Sequence, residues 1–136
     1  MEGHDVTIID RNVDSFRRLT SDFTGLKVVG NGIDEDTLRR AEVDKADAFV
    51  ATTNGDNRNI MSVQMAKVRF NVGKVVARIY DPNRAAAYAE LGIDTICTTC
   101  VGAGLMRDMI LGQPFGDISE YVRLGMDQPG QGANNA

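Results

Sequence analysis

The sequence predicts an α/β protein built on a doubly wound parallel sheet with helices on both faces. Short runs of β-branched and apolar residues alternate with helix-period segments along the chain. The links between them are short, as right-handed crossovers between parallel strands require. The central run, Ala48 to Ala51, breaks at small polar residues and passes through Asn54-Gly55 into a helical pattern with Ile60, Val63, Met65, Ala66 and Phe70. That reads as a buried strand turning into a helix. In open parallel sheets ligands collect at such carboxyl ends, where helix N-termini present free N–H groups.

The elements follow in order. Val6-Thr7-Ile8-Ile9 is a β-branched strand ending in Asp10, and Gly3 before it stands where a helix C-cap glycine normally stands. Val13 to Phe23 places Phe16 and Leu19 at helical spacing behind Asp14 and Ser15, and Gly25 ends it. Leu26 to Val29 is a second strand, closed by Gly30-Asn31-Gly32. Asp34-Glu35-Asp36-Thr37 puts acid into the first turn of a short helix running through Leu38 and Ala41, which favours its dipole. Lys74 to Ile79 is a further buried strand. Asp81-Pro82-Asn83 opens a helix with proline at its first position, and Leu91-Gly92 closes it. Thr95-Ile96-Cys97 is a last short strand. Val101 to Leu111 is helical, stopped by Gly112 and Pro114. Ile118 to Leu124 alternates as an edge strand would, and the Gln-, Gly- and Asn-rich residues 127–136 are expected to be disordered.

Composition fits one soluble domain: 136 residues, 43% hydrophobic and 25% charged. A net charge of −4, a pI near 4.9 and scattered Lys and Arg argue against a nucleic-acid partner. No apolar run approaches the roughly 20 residues that span a bilayer, and the N-terminus lacks a signal-peptide layout, so the expected compartment is the cytosol.

Polar residues gather where the strands end, at Asp10, Gly30 to Gly32, Thr52 to Asp56 and Arg78. A carboxylate at such a position can accept from both hydroxyls of a ribose, whereas a single Asp there is more often a helix cap. Four such features at one sheet edge favour the pocket. Cys97-Thr98-Thr99-Cys100 has C-x-x-C spacing, but it follows the last strand rather than the first, so it reads as packed cytosolic thiols rather than a thioredoxin-like centre. Two Cys and one His do not complete a four-ligand zinc site. The Met61/Met65 and Met106/Met109 pairs read as core or interface filling, and no Ser-His-Asp or paired-carboxylate arrangement supports hydrolysis.

Taken together, Gly3-His4-Asp5-Val6-Thr7-Ile8-Ile9-Asp10, Val28-Val29-Gly30-Asn31-Gly32, Ala46-Asp47-Ala48-Phe49-Val50-Ala51-Thr52, Val76-Ala77-Arg78 with Asp81-Pro82, and Leu91-Gly92-Ile93-Asp94 resemble, in order and spacing, the RCK N-terminal domain, also called KTN or TrkA-N. This is the nucleotide-sensing domain of bacterial Trk and Ktr potassium-uptake systems and related potassium channels, and the match covers about nine tenths of the chain. The resemblance implies a Rossmann-like doubly wound sheet over residues 1–112, including a crossover helix at 101–112, followed by a short connecting segment at 113–126. It places Asp10 on the adenosine ribose, with Arg11 beside it among the cofactor-binding residues. Asn31 and Gly32 line the adenine; Thr52, Thr53 and Asn54 approach ribose and phosphates; Asp56 and Asn59 are polar pocket residues; Arg78 faces the phosphates or a second nucleoside. The implied ligand is NAD or NADH, with ATP or ADP as the other candidates. The implied partners are a second copy or a larger ring formed through residues 101–112, a membrane potassium transporter or channel subunit that holds the chain at the inner face of the cell membrane, and a longer RCK subunit.

Three departures stand out. The family begins with a strand and a G-x-G-x-x-G turn between the strands ending at Asp10 and Thr52, and this sequence carries neither. Two buried strand edges with unpaired N–H and C=O groups are then expected, each such group costing about 1–3 kcal/mol if nothing replaces water. The expected explanation is a start codon assigned too late, with Met1 internal and about 25–30 residues of a first strand and helix missing, and nucleotide binding weak as a result. A common family acid after the last strand is replaced near Thr98-Thr99, against a metal site, and the usual C-terminal ligand-binding domain does not follow Leu124. The competing readings are a fragment of an NAD(P)-dependent oxidoreductase and an interaction module with a degenerate pocket. The first wants a Tyr with a Lys four residues on, which neither Tyr80 nor Tyr88 has.

Overall fold

A computed structural model describes residues 3–126. Among the described residues there are five strands and five α-helices, and all the strand pairings with a defined register are parallel. Strand and α-helix alternate from Leu26 to Leu111, only a 3-10 turn joins the first two strands, and a fifth helix follows the fourth. The strands form two sheets, β1-β2 and β3-β4-β5. The chain divides into two compact units, Met1–Ala51 with Asn57–Val75, and Thr52–Asp56 with Val76–Ala136.

In the first unit, β1 (Thr7–Asp10) pairs with β2 (Leu26–Val29) so that Asp10 lies opposite Val29. The two carboxyl ends therefore open at the same edge. Helix α1 (Glu35–Arg40) starts where its acids predict: Asp34 is the N-cap and its carboxylate accepts from the Thr37 amide at 2.9 Å and the Thr37 hydroxyl at 2.8 Å. Those bonds hold the Asp34 carboxyl below its ordinary range, the hydroxyl contributing most. β3 (Ala48–Ala51) precedes α2 (Asp56–Arg69), of which residues 57–69 belong to this unit. Leu38, Val63 and Ala66 are fully buried, with Ile60, Phe70 and Val72 nearly so.

β4 (Lys74–Ile79), of which residues 76–79 belong to the second unit, pairs with β5 (Asp94–Cys97) so that Ile79 lies opposite Cys97. Between them, α3 (Pro82–Glu90) is capped by Asp81, whose carboxylate accepts from the Asn83 amide at 2.9 Å, with Pro82 in the first turn. Helix α4 (Thr98–Leu111) ends at Gly112, which adopts φ +64°, a left-handed conformation that glycine takes without a Cβ penalty.

Four expectations are corrected. Residues 118–124 are not an edge strand: they lie in α5 (Ile118–Met126), which packs on α4. Asp117 opens it, accepting from the Ser119 amide at 2.8 Å, and Tyr121 is buried where it meets Gly104, so helical spacing overrides the local alternation. The phenol of Tyr121 donates to the Asp108 carboxylate at 2.7 Å, the Gly116 amide adds a bond at 3.2 Å, and Arg107 binds the other carboxylate oxygen at 2.7 Å. These donors, the phenol first, hold the Asp108 carboxyl below its usual value, while burial first and the carboxylate second push the Tyr121 phenol up. Second, the helix expected over Val13 to Phe23 shrinks to a 3-10 turn, Val13–Arg18, with no buried residue, because two apolar side chains give it nothing to pack. Third, β3 is only half buried, with Val50 61% exposed. Fourth, α4 begins at Thr98, so Cys97 and Cys100 stand at a helix start. The tail expected to be disordered, residues 127–136, lies outside the described residues.

Candidate functional site

The expected pocket residues fall in both units, and each group is built locally. In the first unit the carboxyl end of β1 presents Asp10, half-buried, whose Oδ1 accepts from the Asn12 amide at 2.8 Å. That bond fixes the carboxylate and leaves Oδ2 to accept elsewhere. Arg11 is exposed beside it. One strand over, the Gly30 amide donates to the Asp10 carbonyl at 2.9 Å, which ties the Gly30–Gly32 turn to the end of β1. Gly30 is required by close approach: a Cβ there would meet both Thr37 side-chain atoms at 2.5 Å. Asn31 caps its own turn, its Oδ1 accepting from the Ile33 amide at 3.4 Å and its carbonyl from Asp34 at 2.9 Å. Gly32 donates nothing from a side chain, but its carbonyl accepts from the Ser62 hydroxyl on α2. Asn59, one turn before Ser62, is completely buried, a costly place for a polar side chain unless bonded.

In the second unit Thr52, Thr53 and Asn54 are exposed in the turn after β3. Arg78, half-buried on β4, donates from one terminal nitrogen to the Thr52 carbonyl and, at 3.1 Å, to the Thr53 carbonyl. Its guanidinium also lies 4.9 Å from the centre of the Tyr80 ring. The forked cation thus organises this turn itself. Asp56 is 8% exposed and each of its oxygens accepts one backbone amide, Tyr80 at 2.9 Å and Asp81 at 3.1 Å. It reads in the structure as the anchor of the turn after β4, a role a carboxylate fills well because it accepts at both oxygens.

Sequence reasoning missed Ser62 and Arg40. Arg40 donates to the Val29 carbonyl at 3.1 Å and to the Thr37 hydroxyl at 3.3 Å, beside the glycine turn. Ser62 had a signal, standing three residues after Asn59 on one helix face. Arg40 had none, since its partner is a backbone carbonyl eleven residues away. Among the described residues no group of three or more His, Cys, Asp or Glu is placed to hold a metal ion, and no helix is long and apolar enough to cross a membrane.

Parallel strands flanked by helices, with polar turns at their carboxyl ends, define a Rossmann-like α/β domain. The chain belongs to the TrkA-N domain family, whose profile matches residues 1–99. It is 52% identical over 97 residues to the Trk system potassium uptake protein TrkA of Streptomyces coelicolor, covering 71% of this chain and 44% of that protein. It is 30% identical over 118 residues to the TrkA homolog of Methanothermobacter thermautotrophicus, covering 86% and 54%. The chain therefore spans about half the length of the curated relatives it matches. Among solved structures it resembles the Kef CTD of Shewanella denitrificans in its AMP-bound form, with a TM-score of 0.64 and 22% identity over 92% of this chain and 76% of that one. At that identity the likeness is one of fold.

Proposed function

We propose that this chain is the nucleotide-sensing part of a potassium-transport regulator and not an enzyme. The observation that carries the reading is the parallel β1-β2 pair, which sets a fixed carboxylate, Asp10, and the close-packed Gly30–Gly32 turn at one edge. That pairing suits a ribose beside a purine. Family membership and relatives named as Trk potassium uptake proteins supply the physiological context. Residues 1–112 are the RCK N-terminal domain in this reading. NAD or NADH is the expected ligand, ahead of ATP and ADP, with Asp10 and Arg11 at the ribose, Asn31 and Gly32 at the base, and Thr52, Thr53, Asn54 and Arg78 toward the phosphates. Asp56 and Asn59 support these turns from within. The domain works in the cytoplasm, held at the inner membrane face by a potassium transporter or channel subunit.

Titrating the chain with NADH, NAD, ATP and ADP tests the reading. Saturable binding of one of them is expected, and no binding of any would leave only a degenerate interaction module. Arg78→Lys should weaken the binding several-fold, because a point charge does not reproduce a forked contact. Unchanged affinity in that variant would remove Arg78 from the site.

We further propose that copies associate through residues 101–112, directly or with a longer RCK subunit. Met106, Met109, Ile110 and Leu111 on α4 are all exposed, Ile110 at 84%. A helix with so wide an apolar surface gains by burying it. Light scattering should give a dimer or larger assembly at micromolar concentration, and Met109→Glu with Ile110→Glu should give a monomer. A monomeric native chain would refute this assembly.

A further inference from the structure

Cys97 is the N-cap of α4 and Cys100 lies in its first turn. Their sulfurs stand 2.9 Å apart, with no atom between them, and the residues are 1% and 5% exposed. That separation is already close to the bonding distance of about 2.05 Å. The Cys97 sulfur is also 3.7 Å from the Tyr80 carbonyl, to which its thiol donates. Both cysteines belong to the second unit, as do Tyr80 and Asp56.

Burial ordinarily keeps such thiols inert, so access decides the matter. Cys97 makes no side-chain capping bond, and Thr98 and Thr99 between the cysteines are exposed. An uncapped first turn with two solvent-facing residues is the part of a helix that opens at least cost. Once it opens, both sulfurs meet a dissolved oxidant.

We propose that Cys97 and Cys100 form a reversible intramolecular disulfide at the β5–α4 junction, driven by a low-molecular-weight organic disulfide. The Cys97 thiolate attacks one sulfur of the oxidant, forming a mixed disulfide and releasing one thiolate. The released thiolate takes the Cys100 proton, the Cys100 thiolate attacks the Cys97 sulfur, and the second oxidant thiolate leaves and takes up the proton that Cys97 had lost to water. Two protein thiols are oxidised and one disulfide is reduced to two thiols. Cys100 is the resolving partner because desolvation first, and its contact with Cys97 second, push its thiol up to about 11, so it holds its proton at neutral pH. Closure removes the proton that the Tyr80 carbonyl accepts. Tyr80 is held at its amide by Asp56, so the turn after β4 feels the oxidation state.

The test uses the whole chain and dithiodipyridine, whose reaction releases a coloured thione. Native protein should release two thiones per chain, retain no pyridyl group, and lose the mass of two hydrogens, all reversed by a phosphine reductant. Cys100→Ser should release one thione and keep one pyridyl group on Cys97. Cys97→Ser should react far more slowly at neutral pH, since burial of Cys100 remains, and should accelerate as the pH is raised. Retention of two pyridyl groups by the native chain, or reaction only after denaturation, would overturn the disulfide. Equal rates in the two variants would overturn the assigned order. None of these readouts needs a nucleotide, so the inference stands or falls apart from the proposed function.

Discussion

Gly104→Ala should unseat α5 from α4 and cost at least the 1–3 kcal/mol, roughly, of an overpacked core. A Cβ at Gly104 would lie 2.1 Å from the nearest ring carbon of Tyr121 and 2.5 Å from the next. Neither side can give way cheaply. The Cβ is fixed by a helix backbone, and the ring is only 2% exposed and held at its hydroxyl by Asp108. A denaturant melt should therefore show a lower midpoint, and helical signal should fall as α5 detaches. The control is Gly102→Ala, where the nearest neighbour of a new Cβ is the flexible end of Met106 at 3.9 Å, so alanine's helix propensity should leave stability equal or higher. Equal stability of Gly104→Ala and the native chain would mean that α4 and α5 do not pack as described.

Asp10→Ala should weaken nucleotide binding by about 1.5–3 kcal/mol, the range for a hydrogen bond to a charged group. That is roughly a 10- to 150-fold rise in Kd. The variant should fold, since the side chain makes one local bond, to the Asn12 amide, and contributes no buried apolar surface. Asp10→Asn is the finer probe. It keeps an acceptor and the shape but loses the charge, so an intermediate loss is expected. Isothermal titration with the tightest nucleotide decides the matter: an unchanged affinity in Asp10→Ala would remove the carboxylate from the ribose and with it the assignment of the β1-β2 edge.

Much of this fold was legible because its boundaries are written in short-range chemistry. Asp34 and Asp81, the proline after Asp81 and Gly112 each act within a few residues, and the helix ends that they set came out as expected. The failures have the opposite character. Ile118 to Leu124 carries both a strand-like alternation and a helical face, and what selects the helix is the meeting of Tyr121 with Gly104, seventeen positions away in sequence. Phe16 and Leu19 suggested a full helix, but a helix of that length needs a buried face, and none of its residues is buried. In the site, residue types at strand ends pointed to Asp10, Gly30 to Gly32 and Arg78. That Arg78 turns one terminal nitrogen to the carbonyls of Thr52 and Thr53, and Asp56 its oxygens to two amides, depends on tertiary placement that no local pattern encodes.

The two-sheet arrangement leaves β1 and β3 each with a side bonded to no other strand of its own sheet, and this bears on how the protein behaves in concentrated solution. Such a side is a template on which another molecule's strand can grow. Both strands are four residues long and carry acids at or near their ends, Asp5 before β1, Asp10 as its last residue and Asp47 before β3. Two copies approaching edge to edge bring these carboxylates together, on top of a net charge of −4. The guard is electrostatic and so is conditional: the net-charge part of it weakens toward the isoelectric point near 4.9, where association between copies is expected to rise.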